Sequence, residues 1–135
     1  MTAKLLEGES LARALREEHA REIGALLRQP RIVAIHNEEN PACRVYSRMQ
    51  RGVFEKCGVA YELRPVGHAR EEDVLRLIEE LNRDTGVHGI TVHLPLPEGF
   101  DTYRVLRAID PAKDVEGTHP HNIGMIAYGE HNPTP

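Results

Sequence analysis

Three short apolar runs constrain this chain most: RIVAI at 31–35, the alternating VAYELRPV at 59–66, and GITVHL at 89–94. Runs of this length, rich in β-branched residues, read as strands. Longer segments with helical spacing separate them. In 10–27, Leu11, Leu15, Ile23 and Leu26 recur at helical intervals, with Ser10 placed to cap the start and Pro30 closing the segment. In 70–84, Val74, Leu77, Ile78 and Leu81 form an inner face, and 41–57 opens on Pro41 and ends before Gly58. Helices alternating with strands favour a parallel sheet covered on both sides. The expected fold class is α/β, a three-layer αβα domain with a mostly parallel sheet of about four strands, the helices 10–27, 41–57 and 70–84 covering its faces. Short helices are expected at 101–109, capped by Asp101, and near 123–128.

A chain of 135 residues suits one domain, 1–135, with a real core. An apolar fraction of 40% against 28% charged residues makes it globular rather than disordered. A formal net charge of -4 gives no electrostatic footprint for nucleic acid. No apolar run reaches the ~18 residues of a membrane span, and MTAKLLEGES has no apolar signal core, so a cytoplasmic setting is expected. Cys43 and Cys57, on one helix, stand about 21 Å apart, too far to bridge, and read as reduced thiols.

The unusual sequence lies where such a fold binds ligands. Sites in open parallel sheets form at the carboxyl ends of the strands, which here lead into residues 36–46 and 94–100. LPLPEGFD, 94–101, is neither helix nor central strand, because its prolines lack the N–H. On the helix beyond the first strand, Tyr46 and Gln50 fall four apart, on one face. That is a position for a second reacting group, yet the Gln50 amide exchanges no proton near pH 7.

NPACRVYSRMQ, GITVHLPLPEGFD, IDPAKDVEGTHPHNIG and the closing PTP together resemble the substrate domain of the methylenetetrahydrofolate dehydrogenase/cyclohydrolase family, over nearly the whole chain. The resemblance implies an enzyme of one-carbon metabolism that oxidises methylenetetrahydrofolate with a nicotinamide cofactor, NADP, and hydrolyses the methenyl product. It implies a reduced folate as ligand and a homodimer. It implies catalytic roles at Tyr46, Gln50, His93 and Glu116, and substrate contacts from Tyr46, Cys43, Leu94, Pro95, Pro97 and Glu116. The chain has no glycine-rich strand–turn–helix fingerprint, so no cofactor-binding residue is expected in it and the nicotinamide domain is absent.

Several of these positions depart from the family pattern. Gln50 stands where the family has lysine, Cys43 where it usually has serine, His93 where the loop normally begins with glutamine, and Glu116 where it has aspartate. Hydrolysing a methenyl iminium needs a group that takes a proton from water and returns one to nitrogen, and a lysine of lowered pKa does both. Gln50 forfeits that contribution, typically about 10² to 10⁴ in rate. The helix therefore reads as a former catalytic helix, with Gln50 facing a wet cleft. A His93–Glu116 pair is an alternative proton relay. Zinc held by His93, Glu116, His119 and His121 is the metal reading; against it, His119 belongs to a His-Pro turn, and no metal is expected. Two functions follow: a folate-pocket domain that works with a nicotinamide domain, or a non-catalytic binding or assembly module that kept the fold.

Overall fold

The computed structural model describes residues 7–129. In chain order these form α1 (Glu9–Gly24), β1 (Arg31–His36), α2 (Pro41–Lys56), β2 (Ala60–Pro65), α3 (Glu71–Arg83), β3 (Gly89–Val92), α4 (Thr102–Arg107), a 3-10 turn at Pro111–Lys113, and α5 (Pro120–Ala127). The PTP motif lies outside the described residues.

β1 is the central strand. The order is β2-β1-β3 and both pairings are parallel, with Ile32 opposite Tyr61 and Gly89, and Ala34 opposite Leu63 and Thr91. Three strands are present among the described residues rather than about four. One parallel bridge, Ile90 to Asp114, occupies the fourth place beside β3.

Side-chain parity divides the sheet into two faces. Val33, Ile35, Ile90 and Val92 point to one side and pack with Val74, Ile78 and Leu81 of α3 and Val105 of α4. The other side carries Tyr61, Thr91 and His93 under α2, which buries Cys43 and Ser47. The start of α2 is fixed locally: Pro41 stands in the first turn and the Asn40 side chain accepts from the N–H groups of Ala42 and Cys43.

α1 departs from expectation. It begins at Glu9 behind Gly8 rather than Ser10, and buries none of its residues. Leu11 and Leu15 are exposed. Its points of attachment include the Arg16 carbonyl, which accepts from the Cys57 thiol, and Ile23, which lies against Gly58. The reason is width. Three strands span about 14 Å, and one helix about 10 Å across covers most of such a face; α2 already occupies it.

Gly89 shows how closely the Asp114 segment is held. A Cβ there would lie 2.4 Å from Val115 Cγ1 and 3.3 Å from Ile32 Cγ1. Gly89→Ala is expected to cost about 2 kcal/mol, read as a lower urea midpoint with an unchanged m-value.

Candidate functional site

α2 runs back along the sheet and places Cys43, Tyr46, Ser47 and Gln50 over β2 and the end of β3. His93, just past β3, is 3% exposed and lies behind Gln50 rather than open to the pocket. Its Nδ1 is 2.9 Å from Ser47 Oγ, and its Nε2 is 2.8 Å from Gln50 Oε1 and 3.2 Å from the Tyr61 hydroxyl. Tyr61 donates to Gln50 Oε1 at 2.5 Å, and Gln50 Nε2 donates to the Tyr46 hydroxyl at 2.7 Å. The Tyr46 ring meets His93 edge-on at 5.0 Å between centroids. Tyr46 is 42% exposed and forms the outer end of this chain of contacts.

Burial, with a smaller contribution from His36, holds His93 down to about 4, and burial pushes Tyr61 well above the ordinary tyrosine value. Both are therefore neutral at pH 7. The order Ser47–His93–Gln50 resembles a hydrolytic triad, but Ser47 is 0% exposed and reaches no ligand.

Neutral burial of His93 has a pH consequence. The unfolded chain binds a proton at this residue near pH 6.5, the folded chain only near 4, so the unfolded state holds more protons between those values. Stability is expected to fall as pH drops through this window, by roughly 2 kcal/mol at pH 5. Urea midpoints of the chain and its His93→Gln variant at pH 7 and 5 measure it; the variant should lose less.

A cavity of about 280 Å³ opens beside the cluster on the α2 face, lined by Ile32, Gln50, Phe54, Thr91, Val115 and Glu116. It lies on the face of the sheet, against Ile32 near the start of β1 and Thr91 of β3, rather than at the carboxyl ends of the strands. Phe54 stacks on Tyr61 at 5.0 Å, and the buried Thr91 hydroxyl shares the cavity wall with the Glu116 carboxyl. Glu116 is exposed as a residue, but its carboxyl lines the cavity wall, where burial raises its pKa against the opposing pull of the Thr91 hydroxyl, with a smaller push from Asp114. His93 and Glu116 do not pair: the ring nitrogens of His93 face Ser47, Tyr61 and Gln50 instead.

Asp114 positions the segment that delivers Glu116. It is buried and accepts from the N–H of His119 at 2.7 Å, the Asn122 amide at 3.0 Å and the N–H of Glu116 at 3.3 Å. Burial alone would raise its pKa; these donors outweigh it and lower it. The Leu-Pro-Leu-Pro loop meets the first turn of α2. Cys43 Sγ donates to the Leu94 carbonyl at 3.4 Å, the Leu94–Pro95 bond is cis, Leu94 and Pro95 are exposed and Pro97 is half-buried.

His119 accepts the N–H of His121 through Nδ1 at 3.0 Å, and its Nε2 lies 3.2 Å from the Arg107 carbonyl, so it caps α5. Among the described residues, Glu38, Glu39 and His68 bring possible ligand atoms within 4.8 Å of one another. That group is on the surface, and Glu38 already accepts from the Gly67 N–H at 2.8 Å.

Sequence reasoning singled out Tyr46, Gln50 and His93, and the structure brings them into direct contact. It passed over Ser47 and Tyr61. The available signal was parity: Ser47 lies four residues after Cys43 and three before Gln50, and Tyr61 is on the alternating set of its strand.

A parallel sheet with helices on both faces and a cavity of about 280 Å³ under one of them defines the class of open-sheet α/β domains. The chain is a member of the tetrahydrofolate dehydrogenase/cyclohydrolase catalytic-domain family, whose model matches residues 6–116. It is 40% identical over 135 residues to the bifunctional protein FolD of Bradyrhizobium sp. (strain ORS 278), covering 96% of this chain and 46% of that protein. It is 42% identical over 130 residues to FolD of Acidiphilium cryptum, covering 96% and 47%. The crystal structure of FolD methylenetetrahydrofolate dehydrogenase/cyclohydrolase from Campylobacter jejuni aligns with a TM-score of 0.91 at 31% identity, covering 96% of this chain and 47% of that one. The Trypanosoma brucei enzyme, solved with NADP cofactor and inhibitor, aligns with a TM-score of 0.90 at 28% identity, covering 98% and 47%. The chain spans about half the length of the curated relatives it matches.

Proposed function

We propose that this chain is the folate-binding half of a methylenetetrahydrofolate dehydrogenase/cyclohydrolase-type protein, with its hydrolytic chemistry weakened at Gln50. The observation that carries the reading is the convergence of Tyr46, Gln50 and His93 beside the cavity that Glu116 lines. Family membership supports a reduced folate as the ligand class. Tyr46 and the Leu94–Pro97 loop border the ligand, Glu116 meets its polar edge, and Gln50 holds the place where the family's lysine would move a proton. NADP enters this reading as the cofactor of a separate nicotinamide domain, with a homodimer as the assembly and the cytoplasm as the setting.

A second reading, a binding or assembly module without chemistry, is favoured by one specific observation. The Gln50 amide is committed to Tyr46, Tyr61 and His93, and an amide so held carries no proton to or from a ligand. Calorimetric titration with 5,10-methenyltetrahydrofolate and 5-formyltetrahydrofolate, run beside a hydrolysis assay, tests both. Saturable binding with slow turnover supports the first reading, and binding with turnover at background the second. Binding of neither folate refutes both. NADP reduction with methylenetetrahydrofolate by the chain alone would contradict the assignment of the cofactor to a separate domain.

A further inference from the structure

The hydrogens of the Ser47–His93–Gln50–Tyr61–Tyr46 cluster follow from its distances. The Tyr61 and Gln50 side chains approach to 2.5 Å. That separation suits O–H···O and is too short for N–H···O, so Gln50 turns its oxygen, not its nitrogen, towards Tyr61. His93 Nε2 lies 2.8 Å from that same oxygen. An oxygen accepts only, so Nε2 carries the ring hydrogen and Nδ1 of the neutral ring is bare. Ser47 then donates to Nδ1 at 2.9 Å. It also donates to the Cys43 carbonyl at 2.7 Å, so its one hydrogen is shared between that carbonyl, whose second lone pair is open to it, and Nδ1.

The result is one directed chain of donors. Ser47 donates to His93, His93 and Tyr61 donate to the Gln50 oxygen, and the Gln50 amide donates to the Tyr46 oxygen. With its oxygen occupied by that bond, Tyr46, an exposed residue beside the cavity-lining Gln50, keeps its own hydrogen to donate outward. Bonds aligned in one direction polarise one another and strengthen the last donor. The low pKa of His93 agrees with a neutral ring at rest.

We propose that Ser47, His93 and Tyr61 are positioning residues that lock the Gln50 amide, so that the exposed Tyr46 stands beside the cavity as a hydrogen-bond donor and selects a ligand presenting an acceptor oxygen to it. This rests on the folate reading for the ligand: among reduced folates, a one-carbon unit bearing a carbonyl is favoured over a bare N–H.

The test joins nuclear magnetic resonance of the whole chain to binding. Two-bond ¹⁵N correlations at pH 7 should show the Nε2–H tautomer of His93, and contacts should appear between the Gln50 side-chain N–H and the Tyr46 ring. Those contacts should be lost in His93→Leu and weakened in Tyr61→Phe. The chain should bind 5-formyltetrahydrofolate roughly 10-fold tighter than tetrahydrofolate, the value of one good hydrogen bond, and Tyr46→Phe should abolish the preference. An Nδ1–H tautomer in the unmodified chain overturns the proposal whether or not the variants fold. Equal affinity for the two folates overturns the role given to Tyr46. Binding of neither sinks the folate reading alone, and the tautomer still decides the lock.

Discussion

Asp114→Ala is expected to destabilise the domain by roughly 3 kcal/mol at pH 7, among the largest effects of any single substitution outside the apolar core. The carboxylate is 1% exposed and accepts from three backbone or amide N–H groups, those of His119, Asn122 and Glu116. Alanine leaves the His119 and Glu116 N–H groups without this acceptor, and the buried Asn122 amide with only its bond to the Pro111 carbonyl. Urea unfolding at pH 7 measures the loss. The pH dependence has a definite sign. Because the folded pKa is lowered, the contribution is complete above the ordinary aspartate range and disappears as pH falls below it. The stability gap between the chain and its variant should therefore narrow only below about pH 4. Equal stability at pH 7 would mean that the bonds to Asp114 contribute nothing net.

Gln50→Lys should raise methenyltetrahydrofolate hydrolysis about 10-fold, a fraction of what a positioned proton carrier supplies. From the sequence alone, the position reads as facing a wet cleft, where a substitution is nearly free. The structure changes that expectation. Gln50 is half-buried, and its oxygen accepts from both Tyr61 and His93. Lysine has no acceptor to offer. Ser47 can answer for His93 by turning its hydrogen to the Cys43 carbonyl at 2.7 Å, which frees Nδ1–H to donate and Nε2 to accept from the ammonium. Tyr61 also reaches Nε2, at 3.2 Å, but that nitrogen has one lone pair and cannot serve both Tyr61 and the ammonium, so the substitution should cost about 1–2 kcal/mol. Initial rates and urea midpoints read the two effects separately. If activity stays at background in Gln50→Lys and appears only when His93→Gln and Glu116→Asp are added, the pocket has drifted as a unit. A folded triple variant that remains silent ends the enzyme reading and leaves the binding module.

The parts of the fold legible in the sequence are those whose signal is local. The expected strand 31–35 matches β1 at Arg31–His36, and 89–94 contains β3 at Gly89–Val92, because β-branched runs buried on both faces have few other uses. Helix 70–84 matches α3, whose Val74, Ile78 and Leu81 are buried as their spacing requires. The placement of α1 was not legible. Its leucines have helical spacing, but whether a helix finds a face depends on how many strands lie beneath it, which no local pattern records. The site divides the same way. Tyr46, Gln50 and His93 stand out by motif and position. Ser47 and Tyr61 matter only because parallel register sets Tyr61 beside Ile32 and carries α2 over both, and register between segments about thirty residues apart is not written in either one.

The shallow attachment of α1 bears on how the molecule opens. A helix held mainly by its own backbone bonds unwinds without waiting for the sheet, so its amide hydrogens should exchange with solvent at low opening free energy. Those of β1, enclosed between two strands and two layers, should exchange only when the whole domain unfolds. The chain then has two levels of protection: an outer helix that comes and goes on its own, and an inner unit in which sheet, α2 and α3 are lost together.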